Sequence, residues 1–228
     1  MTATDGSTLK NVASFMQKNK GKRVFAEHEV KRFLRGIGLP VPNGISVGND
    51  GHIPSSSLAY PLAAKVSSAK ITSKSDVGGI RLGLKNDAEL KKAVTELLKI
   101  EYAEGVLVEE MAHEGIEVII GGVIDKQFGA VVMFGLGGVF VELFKDIAFA
   151  LAPLKEKDAF WLIQQVKGYK LLEGFRGKAA VDKDALIKTI LTVSEIVASG
   201  HVEEIDLNPV ALYPKGAMIL DAKMAIRT

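Results

Sequence analysis

Apolar positions in the first forty residues recur at helical spacing. Leu9, Val12, Phe15 and Met16 mark one amphipathic helix over 9–18. Val30, Phe33, Leu34 and Ile37 mark a second over 26–37, which Gly38 and Pro40 stop. The period then shortens. VPNGISV (41–47) and YPLAAKV (60–66) are runs of strand type, the second with Leu62, Ala64 and Val66 alternating with Ala63 and Lys65. Asn86 opens the next helix, with Glu89 as its capping-box partner and Leu90, Val94, Leu97 and Leu98 as the buried stripe. Residues 105–109, 116–124, 128–134 and 139–144 read as four strands separated by turns that contain glycine or charge. Helices follow at 156–167 and 183–199, the second opened by Asp182 and closed by Gly200. Two strands, 203–211 and 217–226, end the chain around Tyr213-Pro214-Lys215-Gly216.

Strands that follow one another through short turns favour antiparallel pairing, so the pattern predicts an α+β fold of mainly antiparallel sheets. No period of twenty to fifty residues repeats, which excludes a solenoid. The seam between two lobes is expected near 101–110. No Gly/Ser-rich linker marks it, so the lobes are expected to share a cleft.

The 228 residues are enough for two lobes of about 100 residues with an apolar core that needs no staples. A net charge of +2 carries no field that would announce a nucleic acid or an anionic membrane. Eight basic and three acidic residues precede position 36, a local excess that reads as solvated helix faces. The chain has no cysteine, which removes disulfides, thiolate zinc sites and cysteine nucleophiles. His28, His52, His113 and His201 are scattered, with no pair at metal-ligand spacing. The first twenty residues lack the apolar core of a signal peptide. The longest low-charge stretch, Gly129 to Val141, is thirteen residues with four glycines, too short to span a bilayer. A soluble, cytoplasmic protein is the expectation.

The most informative segment is EEIDLNPVALYPKGAMILDAK. Pro at the second and Gly at the fourth position of Tyr213-Pro214-Lys215-Gly216 suit a type I turn. A symmetric turn puts Asn208 directly opposite Asp221, with Asp206 two residues away on the same face. Two carboxylates and an amide oxygen then converge on one side of a ribbon. Hard oxygen donors of this kind suit Mg²⁺, which completes its shell with water and nucleotide phosphates; a plain solvent-exposed hairpin face is the alternative. Lys65 stands in an apolar strand and needs an anionic partner, either a phosphate oxygen or a neighbouring carboxylate. KSDVGGIRLGL places Gly78 and Gly79 after Lys74 and Asp76, as a phosphate-covering loop or as a plain turn. In VLVEEMAHEGIEV a strand edge offers backbone groups to adenine, with Glu109 or Glu110 reaching the ribose; solvated glutamates at a strand end are the alternative. MFGLGGVFVELFKD adds Glu142 as a further metal candidate, or a tight glycine hairpin. Neither GxxxxGK[ST] nor a strand-following GxGxxG occurs, so a P-loop and a dinucleotide fold have no support.

In order along the chain, GLPVPNG, AAKV, KSDVGGIRLGL, VLVEEMAHEGIEVIIGG, FGAVVMFGLGGVFVELFKDIAF, LLEGFRG and EEIDLNPVALYPKGAMILDAK resemble the ATP-grasp β subunits of the ADP-forming acyl-CoA synthetases, also called acetate–CoA ligases (ADP-forming). The likeness runs from about Val24 to Ile226. It implies two α+β lobes clasping a nucleotide: a helical extension at 1–20, a small lobe at 21–107, and a large lobe at 108–228 with the metal-binding ribbon at its end. By the resemblance Lys65 matches the phosphate-binding lysine and Gly78-Gly79 the covering loop. Glu109, Glu110 and Met111 match the adenine and ribose edge, and Glu117 is counted with the nucleotide contacts. Asn208 and Asp221, with Asp206 beside them, match the Mg²⁺ ligands of the related succinyl-CoA synthetases, and Arg176 in LLEGFRG is a candidate phosphate contact. The implied cofactors are ATP/ADP and Mg²⁺. The implied reaction is acyl-CoA + ADP + phosphate ⇌ acid + CoA + ATP, with a separate CoA-binding α subunit, phosphate carried on histidine, and an α2β2 heterotetramer.

The chain departs from that family at two places. Where the family usually reads HKSD, this chain has Ser73-Lys74-Ser75-Asp76, so the relay histidine of the β subunit is missing. Where it usually reads SFR, this chain has Ala148-Phe149-Ala150, so an arginine is missing too. A phosphoserine ester gives its phosphoryl group to ADP far less readily than a phosphohistidine. Three readings stay open: a variant that uses only the histidine of the α subunit, a chain that has lost activity, and a nucleotide-binding regulatory subunit. An ATP-grasp carboxylate ligase acting alone is a further alternative.

Overall fold

The computed structural model describes residues 7–138, 144–177 and 179–227. They form two compact units. The smaller comprises residues 25–32 and 41–113; the larger comprises the residues before 25, residues 33–40, and those from 114 onward.

The smaller unit is an antiparallel sheet of four strands, β1 (Gly44–Val47), β2 (Leu62–Ser67), β3 (Ile80–Leu84) and β4 (Gly105–Glu110), in the order β1-β4-β2-β3. Every residue of β2 is buried, because it is an inner strand covered on both faces. On one face Leu62, Ala64, Val106 and Val108 pack against Leu90, Ala93, Val94 and Leu97 of α3 (Asp87–Leu97). Asn86 caps α3 by accepting from the Glu89 amide at 3.0 Å, as the sequence predicts; Glu89 returns not to the Asn86 amide, as a capping box would, but to the Lys85 amide at 2.8 Å and to Asn86 Nδ2 at 3.0 Å. The opposite face of β2 carries Lys65, which meets Glu27 and Lys31 from the first turns of α2 (Glu27–Gly36).

The sequence reading missed β3. Ile80, Leu82 and Leu84 do alternate with Arg81 and Gly83, but Gly83 (φ 71°) interrupts the run, and the pairing with β2 shifts register between Leu62 and Ala64. The unit boundary falls at 113/114 and not at 107/108, because β4 continues to Glu110 and still pairs there with Leu62.

The larger unit is built on a sheet of order β10-β8-β5-β6-β7, with β9 also paired to β8. Its strands are β5 (Ile116–Asp125), β6 (Gly129–Leu136), β7 (Ile147–Leu151), β8 (Val202–Leu212), β9 (Ala217–Ile219) and β10 (Ala222–Ile226). Its longer helices are α1 (Ser7–Lys18), α4 (Glu156–Gln164) and α5 (Lys183–Ala198). The first helix is not a separate extension: α1 packs on α5 within this unit. α5 lies on the sheet at Gly122, where a Cβ would come within 3.1–3.3 Å of Val193, Val197 and Ile205, so glycine permits this close approach. Asp182 caps α5, accepting from the Ala185 amide at 2.9 Å and from the Gly216 amide at 2.7 Å, which ties the helix start to the C-terminal turn.

Of the strand expected at 139–144, all but Phe144 lies outside the described residues, and so does Glu142; the next strand is β7. The expected strand 217–226 is two strands, β9 and β10, with Leu220 and Asp221 between them. Among the described residues no helix is long and apolar enough to cross a membrane.

Candidate functional site

In the smaller unit the sheet face opposite α3 holds five charged side chains out of water. Glu27, Lys31, Lys65, Lys74 and Glu109 are each 8% exposed or less, a burial that charges tolerate only when paired. Lys31 Nζ lies 2.8 Å from Glu27 Oε1 and donates to both oxygens of Glu109 at 2.7 Å. Lys65 Nζ donates to Glu27 Oε1 at 3.2 Å and to Glu109 Oε2 at 2.9 Å. Lys74 Nζ stands 3.1 Å from Glu27 Oε2. That oxygen has no aligned hydrogen-bond donor among the described residues, so this contact is held by charge rather than by direction.

Among these contacts Glu27 meets three ammoniums and Glu109 two. Burial opposes ionisation of Glu27, but the fields of Lys65, Lys31 and Lys74 outweigh it and hold the carboxyl below the usual range. Lys31 is shifted down, first by burial and then by the charge of Lys65, against the pull of Glu27 and Glu109.

Lys65 thus finds the carboxylate partners that a strand lysine calls for. Glu109, expected at a ribose edge, is 2% exposed and directs both oxygens to lysines. Its neighbour Glu110 is different. Glu110 accepts from the Ala59 amide at 2.9 Å and from Asn43 Nδ2 at 3.0 Å, and these two bonds lower its pKa, the first the more. Met111 is 37% exposed and donates its amide to the Pro61 carbonyl at 3.1 Å, so the Glu110-Met111 edge is fixed through its backbone.

The loop after β2 returns to the same cluster. Ser73 is half-buried and immediately precedes Lys74. Gly79 donates to the Lys74 carbonyl at 2.6 Å and its own carbonyl accepts from Val66 at 2.8 Å. A Cβ on Gly79 would lie 2.4 Å from Val66 Cγ1, so only glycine fits beside β2. Gly78 (φ 60°) donates to the Ser75 carbonyl at 3.1 Å. Both glycine amides are therefore engaged within the loop itself.

In the larger unit the hairpin register is the one that turn geometry predicts. Leu212 pairs with Ala217, Val210 with Ile219, Ala222 with Leu207 and Lys223 with Asp206. Asn208 donates its amide to the Asp221 carbonyl at 3.1 Å. Asn208 is exposed, and Asp206 and Asp221 are half-exposed. One feature escaped the sequence. Against β5, Val118 pairs with Val210 and Ile120 with Leu207, so Asn208 and the cis-bonded Pro209 together oppose Ile119 alone. This is a bulge, a device that re-aims a side chain. The donor chemistry suits Mg²⁺: two carboxylates and an amide oxygen at adjoining positions, water-accessible and free of soft ligands. No group of three or more His, Asp or Glu side chains forms a metal cage among the described residues. A cation on this ribbon would draw its remaining oxygens from water or phosphate.

Gly121 stands opposite Asp206, and Met133 and Phe149 continue that row on the face away from α5. At the same sheet's end a cavity of about 230 Å³ is lined by Glu117, Leu136, Gly137, Gly138 and Leu171, among others. Gly137 donates to the Glu117 carbonyl at 2.7 Å. Arg176 (φ 49°) sits at an exposed loop tip with its guanidinium 5.3 Å from the Phe175 ring centroid. Ala150 pairs with Val132 in β7.

Glu27, Lys31 and Lys74 were not singled out from sequence. Their signal was present in part: Glu27 and Lys31 lie four apart on a helix, on the side of the buried Val30 and Leu34, where a solvated ion pair has no place.

Residues 16–226 match the model of the ATP-grasp domain. The β subunit of acetate–CoA ligase (ADP-forming) I of Pyrococcus furiosus is 37% identical over 214 residues, covering 90% of this chain and 92% of that protein. The β subunit of isoenzyme II of the same organism is 37% identical over 235 residues, covering 97% and 99%. Acetate–CoA ligase (ADP-forming) II of Archaeoglobus fulgidus is 40% identical over 202 residues, but this chain spans only 30% of its length. Among solved structures, the dinucleotide forming acetyl-coenzyme A synthetase 1 of Ca. Korarchaeum cryptofilum, in complex with coenzyme A and Ca-AMPCP, superposes with a TM-score of 0.84 at 39% identity, covering 96% of this chain and 99% of that one. With an antiparallel α+β architecture in both units and a match that spans nearly all of its length, the chain belongs to the ATP-grasp family, in the company of the β subunits of ADP-forming acetate–CoA ligases.

Proposed function

We propose that this chain is the nucleotide-binding subunit of an ADP-forming acyl-CoA synthetase and passes a phosphoryl group between a phosphohistidine and Mg-ADP. The observation that supports this most is the ribbon: Asn208 and Asp221 stand opposite one another, with Asp206 at an adjoining position, in a chain related over its full length to β subunits. A CoA-binding α subunit would form the acyl phosphate and carry the phosphoryl group on its histidine. A solved relative with coenzyme A and Mg-AMPPCP is described with its phosphohistidine segment pointing towards the nucleotide binding site. An α2β2 assembly in the cytoplasm completes the reading.

In the transfer, the P–N bond to imidazole breaks as a P–O bond forms to the β-phosphate of ADP, and the freed imidazole nitrogen takes a proton. Little covalent chemistry is left to the protein, so positioning and charge compensation carry the rate. Lys65 faces the phosphates and offsets charge on them. Glu110 and Met111 fix the base edge, the Glu117 cavity takes the ribose, and Arg176 and the Gly78-Gly79 loop contribute phosphate contacts. Glu109 acts on the nucleotide through Lys65, because its own oxygens are spent on lysines. Asp206, Asn208 and Asp221 would hold Mg²⁺, which would supply charge neutralisation to the phosphates of the nucleotide.

Calorimetry with Mg-ADP tests the metal assignment. Asn208→Ala and Asp221→Ala abolish the Mg-dependent part of the affinity, and unchanged affinity in both removes that assignment. Mixing with the cognate α subunit and measuring ATP formed from acyl-CoA, ADP and phosphate tests the activity.

Ser73 and Ala150 support a second reading, a regulatory subunit that binds nucleotide without turnover. Absence of ATP formation, with activity gained in Ser73→His, favours that reading; ATP formation by the unaltered chain favours the first.

A further inference from the structure

One side of the cavity in the larger unit is closed by a short 3-10 helix, Lys167–Leu171, whose last residue lines the cavity with Leu136 and Glu117. Side chains three apart eclipse in such a helix, so Gly168 and Leu171 share a face. Gly168 is pressed against the sheet: a Cβ there would lie 2.1 Å from Leu136 Cδ1. The helix therefore lays one face on Leu136, and Leu171 carries that face on into the cavity.

The start of this helix is fixed by a carboxylate from another part of the chain. Asp146, the residue before β7, is 4% exposed; it accepts the Lys167 amide on Oδ1 at 2.7 Å and the Gly168 amide on Oδ2 at 2.9 Å. Both oxygens are directed at the helix, and hydrogen bonds to an ionised carboxylate are of the strong class. The far end is held separately. The Leu172 carbonyl accepts from Val181 at 3.0 Å, and the Tyr169 hydroxyl accepts from Lys183 Nζ at 2.9 Å. Released from Asp146, the helix keeps that tether while its Gly168 end is free to lift from Leu136, and Leu171 moves with it. Glu117 is exposed, so an apolar wall beside it matters: a carboxylate bonds a hydroxyl more strongly where water is kept out.

We infer that Asp146 is a positioning residue: by clamping the start of the 167–171 helix it sets Leu171 as the dry wall of the Glu117 cavity, and so sharpens the binding of a sugar diol there. The inference rests on the reading of that cavity as the ribose site.

Calorimetric titration of the full chain with Mg-ADP and with the Mg complex of dideoxy-ADP, which lacks both ribose hydroxyls, tests it. The parent binds ADP about tenfold more tightly than the dideoxy nucleotide, the worth of a hydroxyl bonded to a carboxylate. Asp146→Asn loses one of the two acceptors; it cuts ADP affinity about tenfold and leaves that for the dideoxy nucleotide nearly unchanged. Lys167→Pro removes one of the same bonds from the donor side, at a first helical position that suits proline and behind a Val166 that is already extended (φ −74°, ψ 139°). It gives the same loss, and it carries the test if Asp146→Asn does not fold. In a Leu171→Ala background Asp146→Asn costs no further ADP affinity, because the wall through which it acts is gone. Unchanged ADP affinity in Asp146→Asn and Lys167→Pro, equal losses for the two nucleotides, or additive losses in the double variant each overturn the inference and leave the ribose reading standing. Equal affinities of the parent for the two nucleotides overturn the ribose reading and the inference with it.

Discussion

Replacing Glu109 by glutamine separates two roles for the same side chain. Glu109 is 2% exposed and accepts three lysine contacts between 2.7 and 2.9 Å, so the substitution takes a charged partner from both Lys31 and Lys65. Breaking a buried pair by removing one partner costs about 3–5 kcal/mol. For a chain of this size each kcal/mol moves the melting temperature by roughly 2–4 °C, which gives a drop of roughly 6–20 °C. Calorimetric melting is the assay, with circular dichroism beside it. Fluorescence of Trp161, which belongs to the larger unit, supplies a probe remote in sequence from the substitution. Adding Lys31→Met removes one of the two ammoniums that lost this carboxylate, so the double variant is more stable than Glu109→Gln alone, a coupling of about 1 kcal/mol or more. A melting temperature within about 2 °C of the parent, together with a large loss of ADP affinity, would refute the buried-pair reasoning and return Glu109 to the ribose.

Glu27 gives a pH dependence of definite sign. Its folded-state pKa lies below the unfolded one, so its contribution is complete above the ordinary carboxylate range and is lost as pH falls through the folded value; urea titrations below pH 4.5 should show that slope in the parent and lose it in Glu27→Gln. Gly79→Ala brings a Cβ to 2.4 Å from the fully buried Val66, an overpacking cost of about 1–3 kcal/mol by denaturant midpoint, and Val66→Ala in the same chain relieves part of it; an unchanged midpoint in Gly79→Ala sinks the account of the loop. Asp182→Ala removes a cap that also holds the Gly216 amide and lowers stability by about 1–2 kcal/mol, whereas Asp182→Asn retains most of it; equal losses in the two variants would mean that the carboxylate charge, not the cap, is what counts.

What could be read from sequence was what local rules reach. The Tyr213–Gly216 turn sets the register of β8 against β9 and β10, and Asn208 and Asp221 stand opposite because that count starts from the turn itself. The helix starts at Asn86 and Asp182 are equally local, since each cap bonds an amide three residues on. The sequence likewise announced that Lys65, a charge in an apolar strand, must have an anionic partner. Which partner was a tertiary matter. Glu27 and Glu109 stand 38 and 44 residues away along the chain, and they meet Lys65 only because α2 covers the face of β2 that β4 flanks. The bulge at Asn208 and Pro209 is invisible in the hairpin count because it is defined by the third strand, β5. Hydrogen bonding along the chain has short reach, so caps and turns are written locally. Charges buried far apart in sequence find one another only once the sheet has paired, and the order of its strands then decides which carboxylate each lysine keeps.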